Sequence, residues 1–440
     1  ARYDFYGRGA VRILALVPLL LTPFVNAFVV KKVLDPRAGL INWLFHDTLK
    51  ILPFRVWVDG LAAVALTQIV TFYPIVMLNV YAALMNIDPT MEEQAENLGA
   101  RGFMLFRKVT LPLALPGLAA GATLVFIFSL EDLGAPIVFH GHPLARKLMS
   151  FQIYSSFISE TGQRSPEIAA LSVILLAIAV SGFLIIRKYV SLRMYAMVSR
   201  GGRWKPRISK LGVAGHAIVY SFLVPLLLLT SLPQLGVFAL ALSSKWVGTF
   251  PEGFTVKNMA EVLLNPRVSR FVVNSLTYSA AAMGLIAVLG LMAAYAASRL
   301  RIPGISLLDA LATMPIAMPG IVVAMGYFYF FSQVFSGTIL DPINIVAFNP
   351  GPLLVIGYAV RRMPFAVRSI FAGIQQVHVN LEEAAFNLGA RRFKTVRSVV
   401  LPLIALNVLG GVLVSFIYCM GEVSLSIIIG TLNVERAPIT

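Results

Sequence analysis

The 440-residue chain is 58% hydrophobic and 13% charged, with a mean hydropathy of +0.82. A soluble domain carries about 25% charged residues, so this composition excludes an ordinary water-soluble globule and places the chain in lipid. A net charge of +16 would suit nucleic acid, but no aromatic-studded basic module accompanies it, and Lys- and Arg-rich cytoplasmic loops account for it better.

Apolar runs of about 20 residues predict an all-α integral membrane protein. Nine candidate spans cover 10–30, 56–84, 113–139, 168–187, 212–242, 271–298, 307–333, 352–376 and 404–430. Between Arg187 and Lys210 stand eight basic residues, no acid, Gly201-Gly202 and Pro206, the composition of a cytoplasmic linker between two halves, 1–199 and 200–440. Lys31, Lys32, Arg37, Lys50 and Arg55 fall in a loop that this orientation puts outside, and the linker outweighs them. The second half has four spans before its polar stretch and the first has two, which predicts about twelve spans in the intact protein. The single Cys419 offers neither an internal disulfide nor a thiolate metal cluster.

A polar stretch at 90–112 recurs at 380–402, an offset of 290. From Glu92 to Pro112, thirteen of 21 residues equal their partners, whereas the next 18 keep four. Two parallel copies that drift in their apolar flanks and stay alike in one polar segment point to a partner met twice. Thr90 and Glu93, like Asn380 and Glu383, stand at capping-box spacing and open a short helix. Gly99 and Gly389 supply the left-handed residue that ends it. Arg101 and Arg391 follow the turn, and Pro112 and Pro402 take the first turn of the next span. Helices this short are marginal alone, so packing must hold them. Ala95, Ala384 and Ala385 offer a small face, and Glu92, Glu93, Glu382 and Glu383 offer charge.

Glu-x-Ala-x-x-x-Gly, then Val-x-Leu-Pro after nine residues, resembles the EAA loop of binding-protein-dependent ABC importer permeases. Glu93, Ala95, Gly99, Val109, Leu111 and Pro112 match, as do Glu383, Ala384, Ala385, Gly389, Val399, Leu401 and Pro402, while Gln94 stands where the family usually has Ala. The resemblance implies that each loop is a coupling helix seated on an ATPase subunit. Two loops imply two such subunits on the cytoplasmic side of one fused permease, with an extracytoplasmic binding protein delivering solute and a bacterial inner membrane around it. The chain lacks Gly-x-x-x-x-Gly-Lys-[Ser/Thr], so ATP and Mg are expected on the partner and no cofactor on this chain. Segments at 129–136, 358–369 and 421–426 look like the ferric-iron permeases; thiamine, polyamine, 2-aminoethylphosphonate and sugar-phosphate importers share overlapping motifs.

Glu131, Asp132 and Glu422 lie late in their spans, Asp132 and Glu422 at the 290 offset, and Arg361, Arg362 and Arg368 lie within 352–376. Buried charges cost at least a few kcal/mol each, so they face either a polar translocation path or one another. His140 and His142, with no carboxylate or Cys beside them, read as surface residues and not as a metal site. An ion-coupled secondary transporter also has repeats and intramembrane acids, but it gives no reason for paired polar loops, and nothing resembles a channel filter.

Overall fold

The computed structural model describes residues 2–159, 166–194, 208–300, 303–344 and 346–438, and most of the basic linker expected between Arg187 and Lys210 lies outside them. Among the described residues five helices are long and apolar enough to cross a bilayer, or eight spans if each of three sharply bent pairs is one crossing. The chain is a multi-pass all-α membrane protein. It divides into two compact units, Ala1–Gln152 with Ala177–Glu261, and Ile153–Leu176 with Val262–Thr440.

The first unit opens with α1 (Arg8–Leu14), a 3-10 turn at Val17–Leu20 and α2 (Pro23–Val33), bent by 100° where hydropathy predicts one rod over 10–30. Pro18 and Pro23 cannot donate the N–H groups a rod needs, and Thr22 caps α2 by accepting from the Val25 N–H. Then come α3 (Gly60–Met85), the short α4 (Pro89–Asn97), and a helix that starts at Gly102, widens into a π turn at Phe106–Thr110 and continues as α5 (Leu111–Glu131). The short α6 (Gly134–Val138) follows, and α7 (Val213–Ala241) belongs to the same unit. Because Gly121 has no side chain, α5 can approach α3 closely: a Cβ there would lie 2.8 Å from the Val76 Cα. A buried polar chain runs through the unit, from the Gln234 amide to Asn26 Oδ1 (3.3 Å) and from the Asn26 amide to Thr71 Oγ1 (2.9 Å).

The second unit contains α8 (Pro266–Arg299), α9 (Ile305–Thr313), a 3-10 turn at Met314–Ala317, and α10 (Gly320–Val334). The span predicted at 307–333 is therefore also broken, by 108°, at Pro315 and Pro319. Next are α11 (Pro350–Gln375), the short α12 (Val379–Asn387), a π turn at Val396–Val400, and α13 (Ala405–Met420). The span predicted at 404–430 ends at Met420, and a separate π turn forms at Ser426–Gly430. Helix α11 is the most enclosed element of the unit, packed against α8 and α13, and it carries Arg361, Arg362 and Arg368. Gly411 faces α11 as Gly121 faces α3, its absent Cβ 2.9 Å from the Ala366 Cα.

The two units repeat the same order of elements. From α3 onward the offset is 290, which pairs Pro74 with Pro364 inside equivalent helices and Gly121 with Gly411. Before α3 the offset is 297: Gly7 and Gly304 cap their helices at φ +76° and +88°, and Pro18 and Pro315 stand in equivalent 3-10 turns.

Candidate functional site

The repeated polar stretch folds alike in both copies. Asp88, not Thr90, caps α4; its carboxylate accepts from the Thr90 N–H at 2.9 Å, and Pro89 takes the first helical position. Likewise α12 starts behind His378 rather than at Asn380, and His378 makes no side-chain cap. Both helices thus begin earlier than the capping-box spacing predicts. Their ends follow the expectation, with Gly99 at φ +91° and Gly389 at φ +84°. The Ala100 N–H reaches the Ala95 carbonyl at 2.9 Å and the Ala390 N–H reaches Ala385 at 3.0 Å, the six-to-one bond of a Schellman turn. Pro112 and Pro402 do not open the next helices, which start at Gly102 and Arg392. A π turn precedes each proline and accommodates the N–H it lacks.

Glu93, Arg101, Glu383, Ala384 and Arg391 are exposed, and Ala95 and Ala385 are half-buried. Large apolar residues stand out beside them, at matching positions and to matching degrees. Leu98 and Leu388 are each 89% exposed, and Phe103 and Phe393 are 75% and 77% exposed. Each copy therefore presents an apolar-and-charged knob held by its own Schellman turn.

Glu92 and Glu382 point the other way, although the sequence groups them with Glu93 and Glu383 as outward charge. Both are buried. Glu92 meets Arg2 at 3.1 Å and accepts from the Thr110 hydroxyl at 2.7 Å. Glu382 accepts from Arg299 Nε at 2.6 Å and from the Tyr295 hydroxyl at 2.9 Å. Arg299 also donates to the Ile374 and Val377 carbonyls, at 3.1 and 2.7 Å, where α11 ends. Arg2 and Arg299 correspond at the 297 offset, which sequence comparison at 290 passes over.

The intramembrane charges form a second polar group in each unit. Glu422 is held by Arg361 at 2.5 Å and by Arg362 on its other oxygen, and Arg362 also lies 5.4 Å from the Tyr418 ring. Gly320, first residue of α10, leaves room for this cluster: a Cβ would lie 2.5 Å from Arg361 Nη1. Asp132, at the equivalent position, is buried, and among the described residues no arginine pairs with it. Its carboxylate accepts from the Gln68 amide at 3.1 Å and from the Gly134 and Ala135 N–H groups at 2.9 and 3.4 Å, so it caps α6. Glu131 ends α5, half-buried. His140 is exposed and donates to the Ile137 carbonyl, and His142 accepts from the Leu144 N–H.

A family model described as the binding-protein-dependent transport system inner membrane component matches residues 2–194 and 273–438. A protein of Haemophilus influenzae named as a ferric transport system permease is 27% identical over 96% of this chain and 64% of its own length. The ferric transport system permease protein of Actinobacillus pleuropneumoniae is 27% identical over 97% of this chain and 60% of itself. A sulfate transport system permease protein of Salmonella typhimurium is 32% identical over 37% of this chain and 59% of itself. The chain thus spans less than two thirds of the length of either ferric relative.

Proposed function

The chain belongs to the family of binding-protein-dependent transport system inner membrane components, and from that premise we propose that it is the permease of an ATP-driven importer of the bacterial inner membrane. An extracytoplasmic binding protein delivers the solute, and two ATPase subunits, carrying ATP and Mg, meet the two loop helices from the cytoplasm. The observation that supports this most is the matched exposure of Leu98 with Leu388 and of Phe103 with Phe393. Large apolar side chains left out of the fold at both copies, flanked by Glu93, Arg101, Glu383 and Arg391, have the anatomy of an interface. Gly99 and Gly389 end the helices so that these side chains project, and Ala95, Ala384 and Ala385 let a partner approach. ATP-driven closure of the partners then moves both loop helices, and alternating access follows.

The solute we propose is ferric iron. The match to the two ferric permeases extends over nearly the whole chain, whereas the sulfate permease matches 37% of it. Fe³⁺ prefers oxygen ligands, and Glu131 and Asp132 are the acids proposed to face its path. An oxyanion is the second reading, because a sulfate transport system permease is among the relatives and the arginines Arg361 and Arg362 lie buried side by side in α11. Full-length protein purified in mild detergent should bring down two ATPase subunits, and cells producing the system should accumulate radioactive ferric iron. A permease that captures no ATPase would overturn the importer reading. Uptake of sulfate or molybdate in place of iron would overturn only the solute.

A further inference from the structure

We propose that the partly buried Arg299, paired with the buried Glu382, ties the loop helix α12 to the membrane helices and carries motion between them, and that the ion pair Arg2–Glu92 is its counterpart at α4. The inference rests on the reading of α4 and α12 as helices moved by an ATPase. Its warrant is geometric. Glu382 is buried beside the exposed Glu383 on α12, and its two oxygens are taken by Arg299 and Tyr295, both on the last turns of α8. The same guanidinium closes on the Ile374 and Val377 carbonyls, at the end of α11 and on the chain leading into α12. One partly buried cation therefore joins α8, α11 and α12, and α11 is the helix that grips Glu422 through Arg361 and Arg362. A displacement of α12 reaches the intramembrane polar group of its unit through charge-assisted hydrogen bonds and then along α11.

The repetition argues against coincidence. In the first unit the acid is again the residue before the outward glutamate, and its partner is again the arginine five residues before a left-handed glycine (Arg2 and Gly7, Arg299 and Gly304). The third participant is not repeated: Thr110 from the π turn before α5 serves in one copy and Tyr295 from α8 in the other. Across two diverged copies the ion pair is the constant. Arg299 and Arg2 are positioning residues, since neither lies on the exposed knob.

Hydrogen exchange on the full-length permease tests this, first alone and then with its ATPase trapped by ATP and vanadate. In the permease alone, Glu382→Gln should raise exchange at 379–387 about tenfold, or about 1.4 kcal/mol of local stability. Arg299→Lys keeps the charge opposite Glu382 but cannot span both carbonyls, so it should spare 379–387 and loosen 370–377. In the trapped wild-type complex both 379–387 and 370–377 should change protection; in Glu382→Gln only the former should. Wild-type exchange at 379–387 in Glu382→Gln, or a retained response at 370–377, overturns the tie. A wild-type permease that captures no ATPase overturns the importer reading instead, and the exchange of the permease alone still decides whether Glu382 anchors α12.

Discussion

Glu422 and Asp132 occupy equivalent positions, yet their side chains are satisfied by different chemistry, and substitutions should reveal it. Glu422→Gln leaves Arg361 and Arg362 buried without their carboxylate, a change that costs about 3–5 kcal/mol for a broken buried pair. Asp132→Asn keeps an oxygen for the Gly134 N–H and loses the bond from Gln68, whose amide stays on the Ser129 carbonyl, so the cost is about 1 kcal/mol. Thermal unfolding in detergent and the yield of monodisperse protein should separate the two, with Glu422→Gln scarce and Asp132→Asn close to wild type; equal losses would contradict the assignment. Gly320→Ala should resemble Glu422→Gln, because its methyl meets Arg361 and displaces the same pair. The sequence shows that acids and arginines lie at this depth, and lipid leaves them few options. It does not show which acid an arginine reaches, because that depends on how α10, α11 and α13 pack.

At the level of elements, the two loop helices are defined by how they stop. Nothing stands within 4 Å of a Cβ added at Gly99 or Gly389, so substitution there is opposed by backbone conformation alone. Gly389→Val should cost at least about 1–2 kcal/mol of local stability, and Gly389→Asn, a residue that tolerates φ > 0, should cost much less. Hydrogen exchange of residues 379–390 measures both; an equal effect of Val and Asn would mean that the glycine acts by contact instead. These terminators were legible because a left-handed turn demands a particular residue type. The starts were misplaced: Asp88 and Thr90 are both good caps, and the spacing of Thr90 and Glu93 favours the wrong one. The breaks in the spans 10–30 and 307–333 were hidden because hydropathy averages over a bent helix as readily as over a straight one, although Pro18, Pro23, Pro315 and Pro319 marked the places. The inward turn of Glu92 and Glu382 was hidden for another reason. Adjacent residues on a short helix face different ways, and only the positions of Arg2 and Thr110 in one copy and of α8 in the other decide which way is in.

For the whole molecule, the order of spans and the paired loops were legible, whereas the 297 offset emerged only when the 3-10 turns and left-handed glycines of the two units were matched. The proposed orientation puts both loop knobs on one side of the membrane and His140 on the other. Cys419 is buried, so new surface cysteines report with little background. Asn97→Cys and Asn387→Cys, both at exposed positions, should react with an impermeant maleimide only when the cytoplasmic face is open to it, and His140→Cys only from outside. Labelling of Asn97 and Asn387 from opposite sides would mean inverted repeats. Where α11 carries Arg361 and Arg362, α3 carries Thr71 and Phe72 at the same register, and the acid they would have faced is kept by an amide and two N–H groups. A lone acid is therefore tolerable in this fold, while two buried guanidiniums with no acid are not. In the second unit, then, the arginines can be lost before the carboxylate, but the carboxylate cannot be lost before the arginines.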